Sequence, residues 1–359
     1  MDLTGLIDAD THVDETDATW EYMGPGEEQF KPVTEMRSNP NSSTEHAELR
    51  EWVVEGVRTR RPIRNDSKSG TQVDARELLD VESRLRHMDE LGTEIQIIYP
   101  TFFLHVPASS DEGQIAVARS YNRWLADRCS ASKGRLRWVC VPPLVDIDES
   151  IKELRLAKEH GACGVFKKGD QEAGHEPNDP YFFPLYEEAE RLDMPICFHT
   201  GGGVKEVRGG LLSSKIPAIN GIYSLLENNV PAQFPNLRIG CVEAGASWVP
   251  FADYQLRRLH DRHAMSSNET GRELGFDVTK DLFKSNRAYV ACQVDEDISM
   301  ILNYISEDNL LMGSDYTHQD TSHELEFRSM LEARVDREEV PASVAQKITH
   351  DNPRAFYGL

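Results

Sequence analysis

No run of 18 consecutive apolar residues occurs in this chain and its mean hydropathy is −0.52, which excludes an ordinary transmembrane helix. Positive charge is scarce: 39 Lys and Arg stand against 61 Asp and Glu, a formal net charge of −22. The one notable basic cluster is Arg58, Arg60, Arg61 and Arg64. Nucleic acids and anionic membranes are bound by concentrated positive charge, so neither is expected as a partner. The six cysteines contain no C-x2-C pair, which argues against a disulfide framework and a thiolate zinc site. Four of them, Cys140, Cys163, Cys197 and Cys241, lie within apolar runs and read as small core residues. No G-x-G-x-x-G follows an apolar run, so the dinucleotide fingerprint is missing; Gly201-Gly202-Gly203 reads as a flexible loop. The first residues, Met1 to Gly5, offer no basic n-region and no apolar h-region, and the expected location is the cytoplasm.

What the chain does have is 39% apolar residues, enough for a substantial core, arranged in a repeating order. Eight short apolar runs are bounded by turn residues: Leu6 to Ala9, Ile95 to Tyr99, Leu136 to Val141, Cys163 to Phe166, Pro195 to Phe198, Leu237 to Val242, Ala288 to Ala291 and Leu310 to Met312. Most are continuously apolar, as parallel strands covered on both faces require. Stretches of helical period follow, at about 75–91, 114–130, 147–160, 181–192, 213–228, 247–263, 297–305 and 322–333. A length of 359 residues allows two domains, but the succession of strand and helix points to one α/β unit, a (β/α)8 TIM barrel.

Two segments interrupt the repeat. Residues 14–71 are polar and broken by Pro25, Pro32, Pro40 and Pro62, and they read as an insertion after strand 1. Trp20 and Trp52 within it favour a folded lid over a disordered linker. The second interruption is 265–287.

Barrel chemistry collects where strands end at the C-terminal face. The first run leads into Asp10-Thr11-His12, the fifth into His199-Thr200, the sixth into Glu243 and the eighth into Gly313-Ser314-Asp315. Asp10 and His12, two apart on extended chain, point to one side. With His199 and Asp315 they offer a nitrogen and oxygen cage for one divalent ion, Zn most readily, with Mn or Fe as alternatives. Taken singly, a histidine at a strand end can equally be a hydrogen-bonded structural residue, and an aspartate an N-cap. His105 and Phe102 follow strand 2 and His318 follows strand 8, at positions that line a mouth or serve packing and capping. Lys167 and Lys168 end strand 4 and suit a salt bridge or a substrate contact. Arg58 and Arg61 are candidates for a substrate carboxylate, against the reading of the cluster as a solvated face. Trp248 reads as core of the sixth helix, and His46, His87, His160, His175, His260, His263, His323 and His350 as surface or structural.

Asp10-x-His12, Phe198-His199-Thr200, Phe234-Pro235-Asn236-Leu237-Arg238 leading to Glu243-x-Gly245, Gly313-Ser314-Asp315-Tyr316 and the ending Asn352-Pro353-Arg354-Ala355-Phe356 together resemble the amidohydrolase superfamily. Within it the chain is most similar to the aminocarboxymuconate-semialdehyde decarboxylase-like branch, the amidohydrolase 2 group. The resemblance implies a metal-dependent TIM barrel, a homodimer or larger assembly, and a small-molecule substrate. It implies Asp10, His12, His199 and Asp315 as ligands, with Asp315 also handling a proton. Two departures from that pattern stand out. Asp10 replaces the commoner His or Glu, and Glu243 stands where decarboxylases of the branch carry a histidine. A carboxylate near a metal can deprotonate water, bind the ion, support a ligand or cap the next helix. It is poorly suited to face a substrate carboxylate that leaves as CO2. The expected activity is therefore hydrolysis of a small cyclic or conjugated substrate, with His199, Glu243 and Asp315 as catalytic residues. Non-oxidative decarboxylation and an inactive ligand-binding barrel are the alternatives.

Overall fold

The computed structural model describes residues 3–38, 48–201, 215–266 and 281–359, and the side chains of these except 262–266. Eight parallel strands form one sheet in chain order: β1 (Ile7–Val13), β5 (Ile95–Pro100), β6 (Leu136–Cys140), β7 (Ala162–Lys168), β8 (Ile196–His199), β9 (Ile239–Val242), β10 (Ala288–Cys292) and β11 (Leu310–Met312). Nearly all of their residues are buried, because helices cover the outside and side chains fill the inside.

The sheet closes on itself where the first and last strands meet. His12 N donates to Tyr316 O at 2.9 Å and Asp315 N donates to Asp10 O at 2.9 Å. The Asp8 carboxylate accepts from Ser314 N at 2.8 Å and from Ser314 Oγ at 2.6 Å. Gly313 permits this approach, since a Cβ there would lie 2.5 Å from the Asp10 Cβ and 2.6 Å from the Asp10 nitrogen. β1 runs to Val13, beyond the apolar run that ends at Ala9, and its register against β5 shifts between Asp8 and Thr11. Such a bulge re-aims side chains, and here it lies directly before the pair Asp10 and His12.

The helices follow the expected order with shifted bounds: α1 (Val81–Leu91), α2 (Asp111–Ser130), α3 (Ile147–Glu159), α4 (Phe183–Arg191), α5 (Lys215–Glu227), α6 (Val249–Ser266) and, after β11, α7 (Phe327–Asp336). The first starts later than its periodicity suggests because Leu78 takes φ 49° and Asp80 caps the chain, accepting from Glu82 N and Ser83 N. Between β10 and β11 the expected helix shrinks to one turn, Ile298–Ile301. All six cysteines are buried and free.

The insertion is folded where it is described. β2 (Val33–Ser38), β3 (Glu48–Val54) and β4 (Val57–Arg60) make a three-stranded antiparallel sheet. Trp20 and Trp52 are buried edge to face at 5.7 Å, and both rings pack on Phe102 at the end of β5. Arg61 stacks its guanidinium 4.0 Å over the Trp52 ring. His46, Gly202 and Gly203, the expected helix start at 213–214, and most of 265–287 lie outside the described residues, as does the His263 side chain.

Candidate metal centre

The first four expected ligands converge in the barrel mouth, all fully or almost fully buried. His12 Nδ1 lies 3.0 Å from Pro100 O, and His199 Nδ1 lies 2.9 Å from Thr200 O. A carbonyl only accepts, so both Nδ1 atoms donate, which leaves both Nε2 atoms as acceptors. Those two Nε2 atoms face each other at 3.2 Å. Asp10 Oδ1 lies 3.4 Å from His199 Nε2 and 3.5 Å from His12 Nε2, and Asp315 Oδ1 lies 3.5 Å from His12 Nε2.

This donor set fits a divalent ion. Two lone pairs aimed at one another repel unless a cation lies between them. Bonds of about 2.0–2.1 Å at a tetrahedral angle put two ligand nitrogens roughly 3.3–3.4 Å apart, near the separation seen. Neither oxygen of the Asp315 carboxylate accepts a well-aligned hydrogen bond among the described residues, although His318 Nδ1 is 2.7 Å from Oδ1. Arg84, fully buried with its guanidinium 3.6 Å over the Tyr316 ring, donates to His12 O at 3.1 Å and so holds that ligand's backbone.

Charge in the centre is unevenly distributed. Burial, then the like charges of Glu243 and Asp10, push the Asp315 carboxyl far above the usual range. Asp10 goes the other way: burial opposes ionisation, but the adjacent His12 and His199 rings hold its carboxyl below the usual range. For His199, burial disfavours the cation, yet the Glu243 and Asp10 carboxylates raise its pKa. Burial and the neighbouring His12 ring, stacked at 3.8 Å, push His318 well below the ordinary imidazole value.

Glu243 takes φ 65° and Asp315 φ 52°, left-handed backbone that costs a non-glycine residue free energy and is common where a site dictates geometry. The Glu243 carboxylate accepts from Thr200 Oγ1, lies 3.3 Å from His199 Nδ1, and has Lys215 Nζ 3.5 Å from Oε1. Lys215 also donates to Glu243 O at 2.6 Å. Glu243 does not cap α6; Glu296 does the work nearby, accepting from Ala246 N at 2.9 Å and Ser247 N at 2.7 Å. Trp248 is half-buried on the same stretch and donates to Gly245 O at 2.8 Å.

Above the centre a cleft of about 390 Å3 is lined by Arg60, Arg64, Thr101, His105, His318 and Asp320, among others. His318 Nε2 meets Thr101 Oγ1 at 3.1 Å, which fixes its ring at the floor. Three of the expected substrate residues fall elsewhere than expected. Arg58 is exposed and paired with Glu35 at 2.7 Å and Glu51 at 3.2 Å, and Arg61 is held by Trp52 and Asp17, so neither lines the cleft. The turn of β4 presents Arg60 and Arg64 instead, the latter gripping Asp14 through Nε at 2.8 and 2.9 Å. Phe102 is core, because the tryptophans of the insertion cover it. His105 lines the cleft, and Lys168 lines a smaller chamber beside it. Lys167 is buried in a salt bridge to Glu172 at 2.7 Å. Residues the pattern did not reveal are Lys215 and Asp320, while His323, whose Nδ1 lies 3.4 Å from Asp315 O, contacts only backbone there.

A parallel barrel closed between its first and last strands, with aspartate and histidine side chains gathered at the ends of its first, fifth and eighth strands, is a TIM barrel with a candidate metal site. The amidohydrolase family profile matches residues 7–359, and the chain belongs to that family. It is 26% identical over 245 residues to a 2-keto-4-carboxy-3-hexenedioate hydratase of Sphingobium sp. strain SYK-6, covering 65% of this chain and 68% of that one. A gamma-resorcylate decarboxylase of Rhodococcus jostii strain RHA1 is 33% identical over 136 residues, 34% of this chain and 40% of that one. An amidohydrolase structure from Mycobacterium avium subsp. paratuberculosis K-10 superposes with a TM-score of 0.77 at 16% identity, covering 99% of this chain and 98% of the other. Among the described residues no helix is long and apolar enough to cross a membrane.

Proposed function

We propose that this enzyme uses one divalent ion to activate water against a small conjugated acid or its derivative, by hydration or hydrolysis. The observation that carries the reading is Glu243, a buried carboxylate held by Thr200 and Lys215 against the His199 ring. Asp10, His12, His199 and Asp315 would hold the ion, Zn first and Mn or Fe as alternatives for such nitrogen and oxygen donors. When bound, the ion supplies Lewis-acid polarisation of an oxygen and lowers the pKa of water. Glu243 takes the proton of the attacking water at its carboxylate. Asp315, with a carboxylate oxygen within 4.8 Å of one of Glu243, hands that proton on to the carbon or leaving group. Thr101 orients His318 beside Asp315, and Arg60 and Arg64 of the insertion line the cleft above.

Non-oxidative decarboxylation is the second reading, favoured by the likeness to a decarboxylase. A departing substrate carboxylate would there face Asp10 and Glu243, a like-charge arrangement that the water reading avoids.

The test is product analysis by mass spectrometry on a panel of conjugated acids with metal-loaded enzyme. Gain of one water, reduced at least about 100-fold in Glu243→Gln, is the expected result. CO2 release from the wild type with full activity in Glu243→Gln would overturn it.

A further inference from the structure

Beside the metal centre, and outside the mechanism above, lies a chamber of about 150 Å3, space for several water molecules by the measure in which one needs roughly 10–15 Å3. Phe103, Val141, Pro142 and Phe166 make the apolar part of its wall, Gln114, Gln171 and Glu172 are among the polar part, and Lys168 is the one Lys or Arg among its lining residues. Two observations connect it to the reaction site. The Phe166 ring, part of its wall, lies 6.0 Å from the His199 ring. Lys168 pairs with His199 in the ladder between β7 and β8, so the two side chains leave the sheet on the same side.

Lys168 is only 6% exposed and its Nζ makes no hydrogen bond among the described residues. The nearest carboxylate, Glu172, is engaged elsewhere. Its Oε2 accepts from Lys167 Nζ at 2.7 Å and from the Lys168 backbone nitrogen at 3.2 Å, while its Oε1 stays 3.8 Å from Lys168 Nζ. Both lysines therefore draw on Glu172, and Lys168, the more distant at 3.8 Å, keeps its three N–H donors without a hydrogen-bond acceptor among the described residues. Burying an ammonium without a partner is costly, so the pocket favours a ligand that brings an anion to it. The effect of that charge reaches His105 on the chamber rim, whose pKa is lowered first by burial and then by Lys168.

We infer that Lys168 and its chamber bind a second carboxylate of the substrate, distal to the reacting carbon, and thereby select conjugated dicarboxylates over monocarboxylates. The inference rests on the proposed reading of the metal centre as the site of reaction. A slot with Phe103 and Phe166 on its wall and one ammonium in its lining suits a flat, unsaturated chain that carries charge only at its ends.

Calorimetric titration of the metal-loaded full chain with trans,trans-muconate and with sorbate tests this, because the two share a six-carbon diene skeleton and differ in one terminal carboxylate. Muconate is expected to bind at least about tenfold tighter than sorbate, a difference lost in Lys168→Met and largely restored in Lys168→Arg. Thermal melts of the variants confirm that they fold. Equal binding of the two acids to wild type, no binding of either, or an undiminished preference in Lys168→Met would each overturn the inference. Metal content and product formation measured on the same samples keep the two ideas apart: a preserved muconate preference without water addition removes the proposed reaction and leaves the subsite standing.

Discussion

The Nε2 atoms of His12 and His199 face each other at 3.2 Å, each ring having given its Nδ1 hydrogen to a backbone carbonyl, of Pro100 and Thr200 respectively. The tautomers are thus set before any ligand arrives. Elemental analysis should find about one divalent ion per chain in the wild type and almost none in His199→Ala. Because the ion binds the folded form alone, saturating metal at a hundred times its Kd should add about 2.7 kcal/mol of stability, read as a rise in Tm that a chelator reverses. Equal metal content in wild type and His199→Ala would refute the assignment.

Ser314 joins the two ends of the barrel through Asp8. In Ser314→Ala the backbone donor at 2.8 Å remains, but the hydroxyl donor at 2.6 Å is lost, leaving Asp8 Oδ2 buried with less compensation. Urea unfolding should show a loss of about 1–3 kcal/mol, well above the effect of an ordinary surface substitution. A change within about 0.5 kcal/mol would mean that the closure does not depend on this pair.

Glu15 sits beneath the insertion, its two oxygens accepting from Thr101 N and Phe102 N at 3.0 Å each. Burial dominates over these bonds and pushes its carboxyl up to about 8 from an ordinary 4.5. Between those values the folded state holds a proton that the unfolded chain has released. Stability from this group is therefore full below the unfolded pKa and declines as pH rises towards 8, with a limiting slope of about 1.4 kcal/mol per pH unit. Glu15→Gln mimics the protonated form, so its unfolding free energy should fall less steeply than wild type between pH 5 and 8. Parallel curves for the two proteins would show that Glu15 is ionised throughout.

Much of this architecture can be read from the chain because burial on both faces makes barrel strands continuously apolar, and all eight runs coincide with strands. The reading breaks down where polar residues are part of a strand. β1 continues through Asp10 and His12, which face the candidate metal centre, whereas hydrophobicity stops at Ala9. The insertion's sheet is also hidden, since Glu48–Val54 alternates only weakly and carries three charged residues. Its arginines show the limit best. Choosing Arg60 and Arg64 over Arg58 and Arg61 requires the register of β4 against β3, which spacing does not supply. Lys215 opens α5, 28 residues before Glu243, with no motif to mark it, and only the folded barrel brings the two together.

The closure of β1 against β11 also sets an order of events during synthesis. Asp10 and His12 leave the ribosome early, His199 midway, and Asp315 only when the last strand is made. A nascent chain lacking β11 has the histidine pair without its second carboxylate and has no Gly313 to bring the barrel edges together. The last carboxylate of the candidate centre is accordingly made together with the strand that closes the barrel, so a chain shortened before β11 loses Asp315 and the closure at once.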